Sequence, residues 1–194
     1  MNAAPTTTRP ADTASTVNPV TLGHALAVIR IFFGLIVFAD GLAKLDPAWG
    51  QIDIGPYHAN LITRDGARSI LDFEVNKRQV TKTTPKRTGA PGLKRVVNDV
   101  VLKHWNVFQW AVTVAELGAG TLLIAGLASR LGAVIDLGQQ LFLALVYVSS
   151  NRWLFEQPHE YVPLIVLALV PTGRAWGLDA LLVGASQRLR RWPF

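Results

Sequence analysis

Three ionisable side chains, Arg30, Asp40 and Lys44, are set into "RIFFGLIVFADGLAKL", a stretch otherwise apolar enough for lipid. A charge at mid-membrane costs about 2.5–3.5 kcal/mol on insertion scales, so it is turned inward and paired, and it marks a candidate site. The spacing agrees. Arg30, Gly34, Val37, Gly41 and Lys44 recur at steps of four and three and share one helical stripe. A second stretch carries Gln109, Thr113, Glu116, Gly120 and Leu123 in the same pattern, and a third carries Asp136, Gln140, Leu143 and Tyr147. Each helix thus has a polar seam, and glycines in the seam let helices approach closely.

Depth, counted along ideal helices from one common surface, puts Arg30 roughly 12 Å in, Asp136 roughly 9 Å and Glu116 roughly 17 Å. Arg30 is therefore expected between Glu116 and Asp136. Asp40 stands one turn before Lys44, the favourable order for an ion pair within a helix, with Gln109 and Tyr147 near that level. Two chemistries fit these layers. One is a polar pocket for a quinone or small anion, with Arg30 or Lys44 as donor and Asp40, Glu116, Asp136 and Gln140 around it. The other is a charge cluster that only fixes helix register.

The elements that must position these residues are membrane spans. Of 194 residues, 50% are hydrophobic and 16% charged, with six Trp, and the mean hydropathy is +0.29. That is membrane-protein composition. Spans are expected at about 22–45, 105–127, 131–150 and 155–171. The fourth is the weakest, because uninterrupted apolar character runs only from Tyr161 to Val170 and "WLFEQPHE" must be recruited before it. The fold class expected is all-α, an integral membrane four-helix bundle with a long extramembrane loop, 46–104, between spans one and two. A disordered tail, 1–21, and a basic tail, 185–194, flank it; the middle of the loop, "VNKRQVTKTTPKRTGAPG", has the composition of a mobile segment. The end of the loop, "GLKRVVNDVVLKHW", gathers Leu93, Val96, Val97, Val100 and Val101 on one face. It is either an amphipathic helix lying on the membrane or an extension of span two.

Lys and Arg number 19 against 13 Asp and Glu, for a net charge of +6. No nucleic-acid-binding motif accompanies that charge, and anionic lipid headgroups account for it. Arg130, Arg174, Arg188, Arg190 and Arg191 place both termini in the cytoplasm. The first loop, with ten basic and six acidic residues, is long enough to cross regardless of charge. Cysteine is absent. A thiolate nucleophile, a disulfide, an iron–sulfur cluster and a covalently attached haem are thereby excluded within the chain, so redox chemistry would use a diffusible cofactor or a partner subunit. His104 and His159 could in principle meet across two helices, but both sit where polar residues face an interface, and no metal site is expected. Trp49, Trp105, Trp153 and Trp176 fall near span ends, as interfacial anchors do. Asp179 is expected to pair with Arg174 or to cap the last helix.

"RIFFGLIVFADGLAKL", then "AELGAGTLLIAGLASRLGA", then "GRAWGLDALL" resembles the DoxX/DoxD-like family of bacterial four-span membrane proteins, over residues 22–184. The long insert and the ending "TGRAWGLDALL" look more like the DoxD branch, the small subunit of thiosulfate:quinone oxidoreductase. The resemblance implies a cytoplasmic-membrane protein that works with a second membrane or peripheral subunit to pass electrons from a reduced sulfur compound to quinone. The positions it carries over are Arg30, Gly34, Gly41 and Lys44, then Glu116, Gly120, Gly126 and Arg130, then Gly173, Arg174, Gly177 and Asp179. An accessory subunit that assembles a larger membrane complex is the alternative.

Overall fold

The computed structural model describes residues 18–77, 92–149, 158–186 and 191–194. The expected disordered tail up to residue 17, the segment 78–91 that includes most of the loop's low-complexity stretch, residues 150–157 with Trp153, and the arginines at 188 and 190 lie outside the described residues.

Helix α1 spans Pro19–Leu45, so it begins earlier than the expected 22. Asn18 supplies the reason. Its side chain accepts the Val20 N–H at 2.9 Å and Pro19 takes the first helical position, where a missing N–H is harmless. The helix stops at Leu45 because Pro47 forces Asp46 into an extended conformation, with φ −134°.

The insert that follows is built rather than plain loop. A 3-10 turn, Pro47–Gly50, leads into an antiparallel hairpin of β1 (Gln51–Ile54) and β2 (Tyr57–Asn60), in which Ile54 pairs with Tyr57 and Gln51 with Asn60. Its turn uses Gly55 at φ +59°, a backbone angle only glycine adopts without strain. Helix α2 (Arg64–Asp72), capped by the Thr63 hydroxyl on the Gly66 N–H, runs on as a π-helical turn, Phe73–Lys77. Helix α3 (Leu93–Arg95) runs on as a π-helical coil, Val96–Leu102. Leu93, Val97, Val101 and Trp105, four residues apart, pack with Leu71 of α2 and Val146 near the end of a later helix. The amphipathic segment is therefore neither a straight extension of span two nor held by the membrane alone: it covers other protein, while Val96 and Val100 stay exposed. Trp105 belongs to this core and does not serve as an exposed anchor.

Helix α4 (Trp105–Ala125) and helix α5 (Ser129–Ser149) form an antiparallel hairpin. Gly126, at φ +60°, ends α4, and the Leu127 N–H returns to the Leu122 carbonyl at 3.1 Å, the Schellman pattern. Helix α6 (Pro158–Leu169) carries Pro163 in its interior. A 3-10 turn, Thr172–Arg174, then leads to α7 (Asp179–Ala185).

The protein is mostly helical, and α1, α4 and α5 are each long and apolar enough to cross a membrane. Helix α6 has 12 described residues, about 18 Å of rise. Exposed Val28, Phe32, Leu35, Val107, Val114 and Leu141 give these helices the apolar outer faces that lipid requires. α1 and α4 meet closely. A Cβ added at Gly34 would fall 2.9 Å from the Ile124 nitrogen, one at Gly120 2.7 Å from the Phe38 nitrogen, and one at Gly41 3.0 Å from the Leu117 nitrogen. A second apolar cluster of Leu123, Ala133, Leu164 and Leu167, with Phe33 against it, joins α4, α5, α6 and α1.

Candidate functional site

The glycine contacts fix the register of α1 on α4: Gly34 lies opposite Ile124, Phe38 opposite Gly120, Gly41 opposite Leu117. Steps of four and then three up one helix are matched by steps of four and then three down the other. Extended by one turn, this register sets Arg30 opposite the α4–α5 turn and Lys44 close to the level of Glu116. Side chains on a helix lean toward its N-terminus. On antiparallel helices Lys44 therefore leans toward Glu116 and Glu116 toward Lys44, whereas Arg30 leans away from both.

The structure accordingly separates the two cations. The Lys44 ammonium stands 2.8 Å from Glu116 Oε2, with side-chain exposures of 4% and 14%. Asp136 of α5, 2% exposed, joins the same group: Gln140 hydrogen-bonds its carboxylate, and Asp40 and Glu116 interact with it through space. Asp136 Oδ2 and both side-chain polar atoms of Gln139 have no hydrogen-bond partner among the described residues. Asp40 does not spend its carboxylate on Lys44. It is half-buried, and its Oδ1 accepts the Ile62 N–H at 3.2 Å, tying α1 to the segment after the hairpin. Gln109 also stays out of the cluster, since its amide turns to the Asn106 carbonyl. Among the described residues, this end of the helices thus holds three carboxyls, one ammonium and two amides inside an apolar frame.

Arg30 is placed elsewhere than between Glu116 and Asp136. It is fully buried, and its guanidinium donates to the carbonyls of Thr172 at 2.6 Å, Ala175 at 3.2 Å and Trp176 at 3.0 Å. The depth count misplaced it because α1 starts at Pro19 and its first turns stand beyond the end of α4. A common starting plane does not exist. Asp179, fully buried, also departs from expectation: it accepts the Ala128 N–H at 2.7 Å and the Ser129 N–H at 3.3 Å, and the Ser129 hydroxyl donates to it at 3.1 Å. Arg174 turns instead to the Phe194 carbonyl. Asp179 and Arg30 interact through space, so the knot contains its own charge pair.

Glycine is required throughout this knot. A Cβ at Gly126 would fall 2.7 Å from Arg30 Nη1 and 2.7 Å from the Gly177 Cα, and a Cβ at Gly173 would collide with the Asp179 carboxylate. The backbone closes it further, with Leu178 N–H on the Ala125 carbonyl at 3.0 Å and Asp179 N–H on the Gly126 carbonyl at 2.8 Å. Arg130 caps α6 by donating to the Leu169 carbonyl at 2.7 Å, a cation at the helix end where the dipole favours one. Ser129 is the member that sequence reasoning missed: its hydroxyl also accepts the Gly173 N–H at 3.0 Å. The available signal was a small hydroxyl residue at a helix start directly after a glycine turn.

A groove of about 310 Å³ opens between the first turns of α1 and Val170–Ala175, and His24 on its wall stacks against Trp176 with ring centroids 4.6 Å apart. The described residues hold no group of three or more His, Asp or Glu placed to bind a metal ion. His58 pairs with Asp53 across the hairpin at 2.6 Å, and His104 Nδ1 lies 3.0 Å from the Val100 carbonyl.

Comparison with protein-family models, with curated proteins and with solved structures finds no match.

Proposed function

We propose that this chain is a DoxX/DoxD-like bacterial cytoplasmic-membrane protein of four spans and the membrane subunit of a quinone-linked oxidoreductase. Spans α1, α4, α5 and α6 form the bundle. Both termini and the α4–α5 turn face the cytoplasm, and the hairpin with α2 and α3 faces out. The observation that carries the reading is the Lys44–Glu116 pair with Asp136 beside it, buried among helices that are otherwise apolar.

A quinone is an apolar ring with two carbonyl oxygens, and its reduction takes up two electrons and two protons. The Lys44 ammonium supplies a donor to one carbonyl oxygen, and the carboxyls of Glu116 and Asp136 supply groups that can carry protons. Electrons come from thiosulfate or a related reduced sulfur compound through a second subunit, since this chain has no cysteine. Arg30, Gly126, Gly173, Gly177 and Asp179 hold the cytoplasmic end of the bundle in register and do not line the pocket.

One observation favours a second reading, a non-catalytic subunit that stabilises a larger membrane complex. Phe73, Val96 and Val100 lie exposed on the extramembrane elements, and Leu178 and Leu181 at the opposite end. Such faces suit docking.

The test is quinone reduction by the full chain purified in detergent with whatever co-purifies, scanned over thiosulfate, sulfite and sulfide. Lys44→Met and Glu116→Gln should each lower the rate by about tenfold or more, the scale of a lost proton-transfer or donor group. No activity with any donor, from a stable protein that co-purifies with other membrane subunits, would replace this reading with the accessory one.

A further inference from the structure

The charges at the Lys44 end do not balance. Among the described residues, Asp40, Glu116 and Asp136 face a single ammonium, and that ammonium is 2.8 Å from Glu116. Asp40 reaches the surface, where it accepts the Ile62 N–H. Asp136 has neither relief. It is 2% exposed, its Oδ2 has no donor among the described residues, and it stands beside the neutral amide of Gln140 and the like charges of Asp40 and Glu116. The remaining ionisable groups belong elsewhere. Glu74 is on the π-helical turn that packs near Val146, ten residues from Asp136 and about 15 Å along the helix. Arg130 and Asp179 belong to the opposite end. The first turn of α6 carries His159, Glu160 and Tyr161.

A bare carboxylate in an apolar interior is far more costly than the neutral acid, and proteins resolve such a site by keeping the proton. We propose that Asp136 holds an exchangeable proton in the resting protein and is the acid that protonates a ligand seated against the Lys44–Glu116 pair. Orphaned Oδ2 is the atom that carries it. The Gln139 amide, also without partners among the described residues, stands one turn further along α5.

The ligand half of the inference rests on the quinone reading. As the quinone accepts two electrons from the reduced sulfur donor, the Asp136 O–H bond breaks and an O–H bond forms on the quinone oxygen. The carboxylate left behind is reprotonated from the outer surface by way of half-exposed Asp40, and the second proton follows the same route.

The proton is observable without donor or quinone, by infrared spectroscopy of the full chain in lipid nanodiscs near neutral pH. The expected result is a protonated-carboxylic C=O band that shifts in heavy water, is lost in Asp136→Asn, moves in Asp136→Glu, and persists in Glu116→Gln and Asp40→Asn. Absence of the band in the native protein, or its loss in Glu116→Gln with survival in Asp136→Asn, would overturn the assignment. Should Asp136→Asn fail to fold, Asp136→Glu and Glu116→Gln decide. In the quinone assay Asp136→Asn should lower kcat by about 10²-fold or more, the scale of a lost general acid, with KM little changed. A band without any quinone activity would keep the resting proton and refute both the quinone reading and the donor role. Activity without a band would keep the reading and discard the resting acid.

Discussion

Asp179 offers the sharpest quantitative test, because its partners can be counted. Asp179→Ala removes the acceptor of the Ala128 N–H at 2.7 Å, the Ser129 N–H at 3.3 Å and the Ser129 hydroxyl at 3.1 Å. A buried hydrogen bond to a charged group contributes about 1.5–3 kcal/mol, and a buried donor left unsatisfied costs about 1–3 kcal/mol. The Ser129 hydroxyl can rotate, and the longer Ser129 N–H bond is weak, so the short Ala128 bond dominates. Loss of the negative charge near buried Arg30 adds to it, since breaking a buried charge pair costs about 3–5 kcal/mol. These contributions overlap, and the net expectation is about 4 kcal/mol. Asp179→Asn keeps one acceptor oxygen and should cost about 2 kcal/mol. Asp99→Ala, at an exposed position, should stay within about 0.5 kcal/mol. The assay is reversible unfolding in mixed micelles followed by circular dichroism. A loss below about 1 kcal/mol for Asp179→Ala, under the least that one orphaned buried donor costs, would refute the view that this carboxylate holds the α4–α5 turn to α7.

The helix contacts give further expectations in the same assay. Gly120→Ala would bring a Cβ to 2.7 Å from the Phe38 backbone and should destabilise by about 1–3 kcal/mol; Gly138→Ala meets nothing within 4 Å and should be neutral or stabilising by up to about 1 kcal/mol. Equal effects at the two glycines would sink the close-approach argument. Lys44→Met and Glu116→Gln should be coupled: the double variant should be more stable than the sum of the single losses by about 1–3 kcal/mol, and strict additivity would dissolve the pair. Away from the long apolar helices, the Lys77 hydrogen bond, helped by Asn76, holds the Asp72 carboxyl below its ordinary value of 3.8. The bond's small contribution to the end of α2 is therefore complete at neutral pH and is lost as pH falls through the lowered folded value. Amide exchange across Phe73–Lys77 should speed up in that acid range, and Asp72→Asn should abolish the pH dependence.

Much of the fold was legible because period and length carry it. Polar seams at steps of four and three located α1, α4 and α5. The glycines were read as sites of close approach, and Gly34, Gly41 and Gly120 lie at the α1–α4 contact. Partnership between charges was not legible. Arg30 and Lys44 share a stripe, a neighbouring glycine and an apolar setting, yet one binds backbone carbonyls and the other a carboxylate. Two facts decide the difference, the offset of α1 beyond the end of α4 and the opposite lean of side chains on antiparallel helices, and neither is visible in one helix's sequence. The insert was opaque for another reason. Its elements are short, and the alternation of "QIDIGPYHAN" is too brief to mark a strand pair. The helix at Leu93–Leu102 gains its stability from Leu71 and Val146, far away in the chain.

The two charged ends of the helices obey different rules, and the difference argues for where chemistry can occur. At the Arg30 end the charged groups are held mostly by backbone that cannot move without breaking helix ends, three carbonyls for the guanidinium and two N–H groups beside the Ser129 hydroxyl for Asp179, although Arg30 Nε and Thr172 Oγ1 have no partner among the described residues. A ligand there would have to displace bonds that define the fold. At the Lys44 end the partners are side chains on three separate helices, with the Asp136 Oδ2 and Gln139 polar atoms left unmatched among the described residues. Such groups can exchange one partner for another at little cost to the backbone. A site that binds a polar ligand and passes a proton needs that freedom, so substitutions at Arg30 and Asp179 should act on stability alone, whereas under the quinone reading substitutions at Lys44, Glu116 and Asp136 should act on turnover beyond what their effect on stability explains.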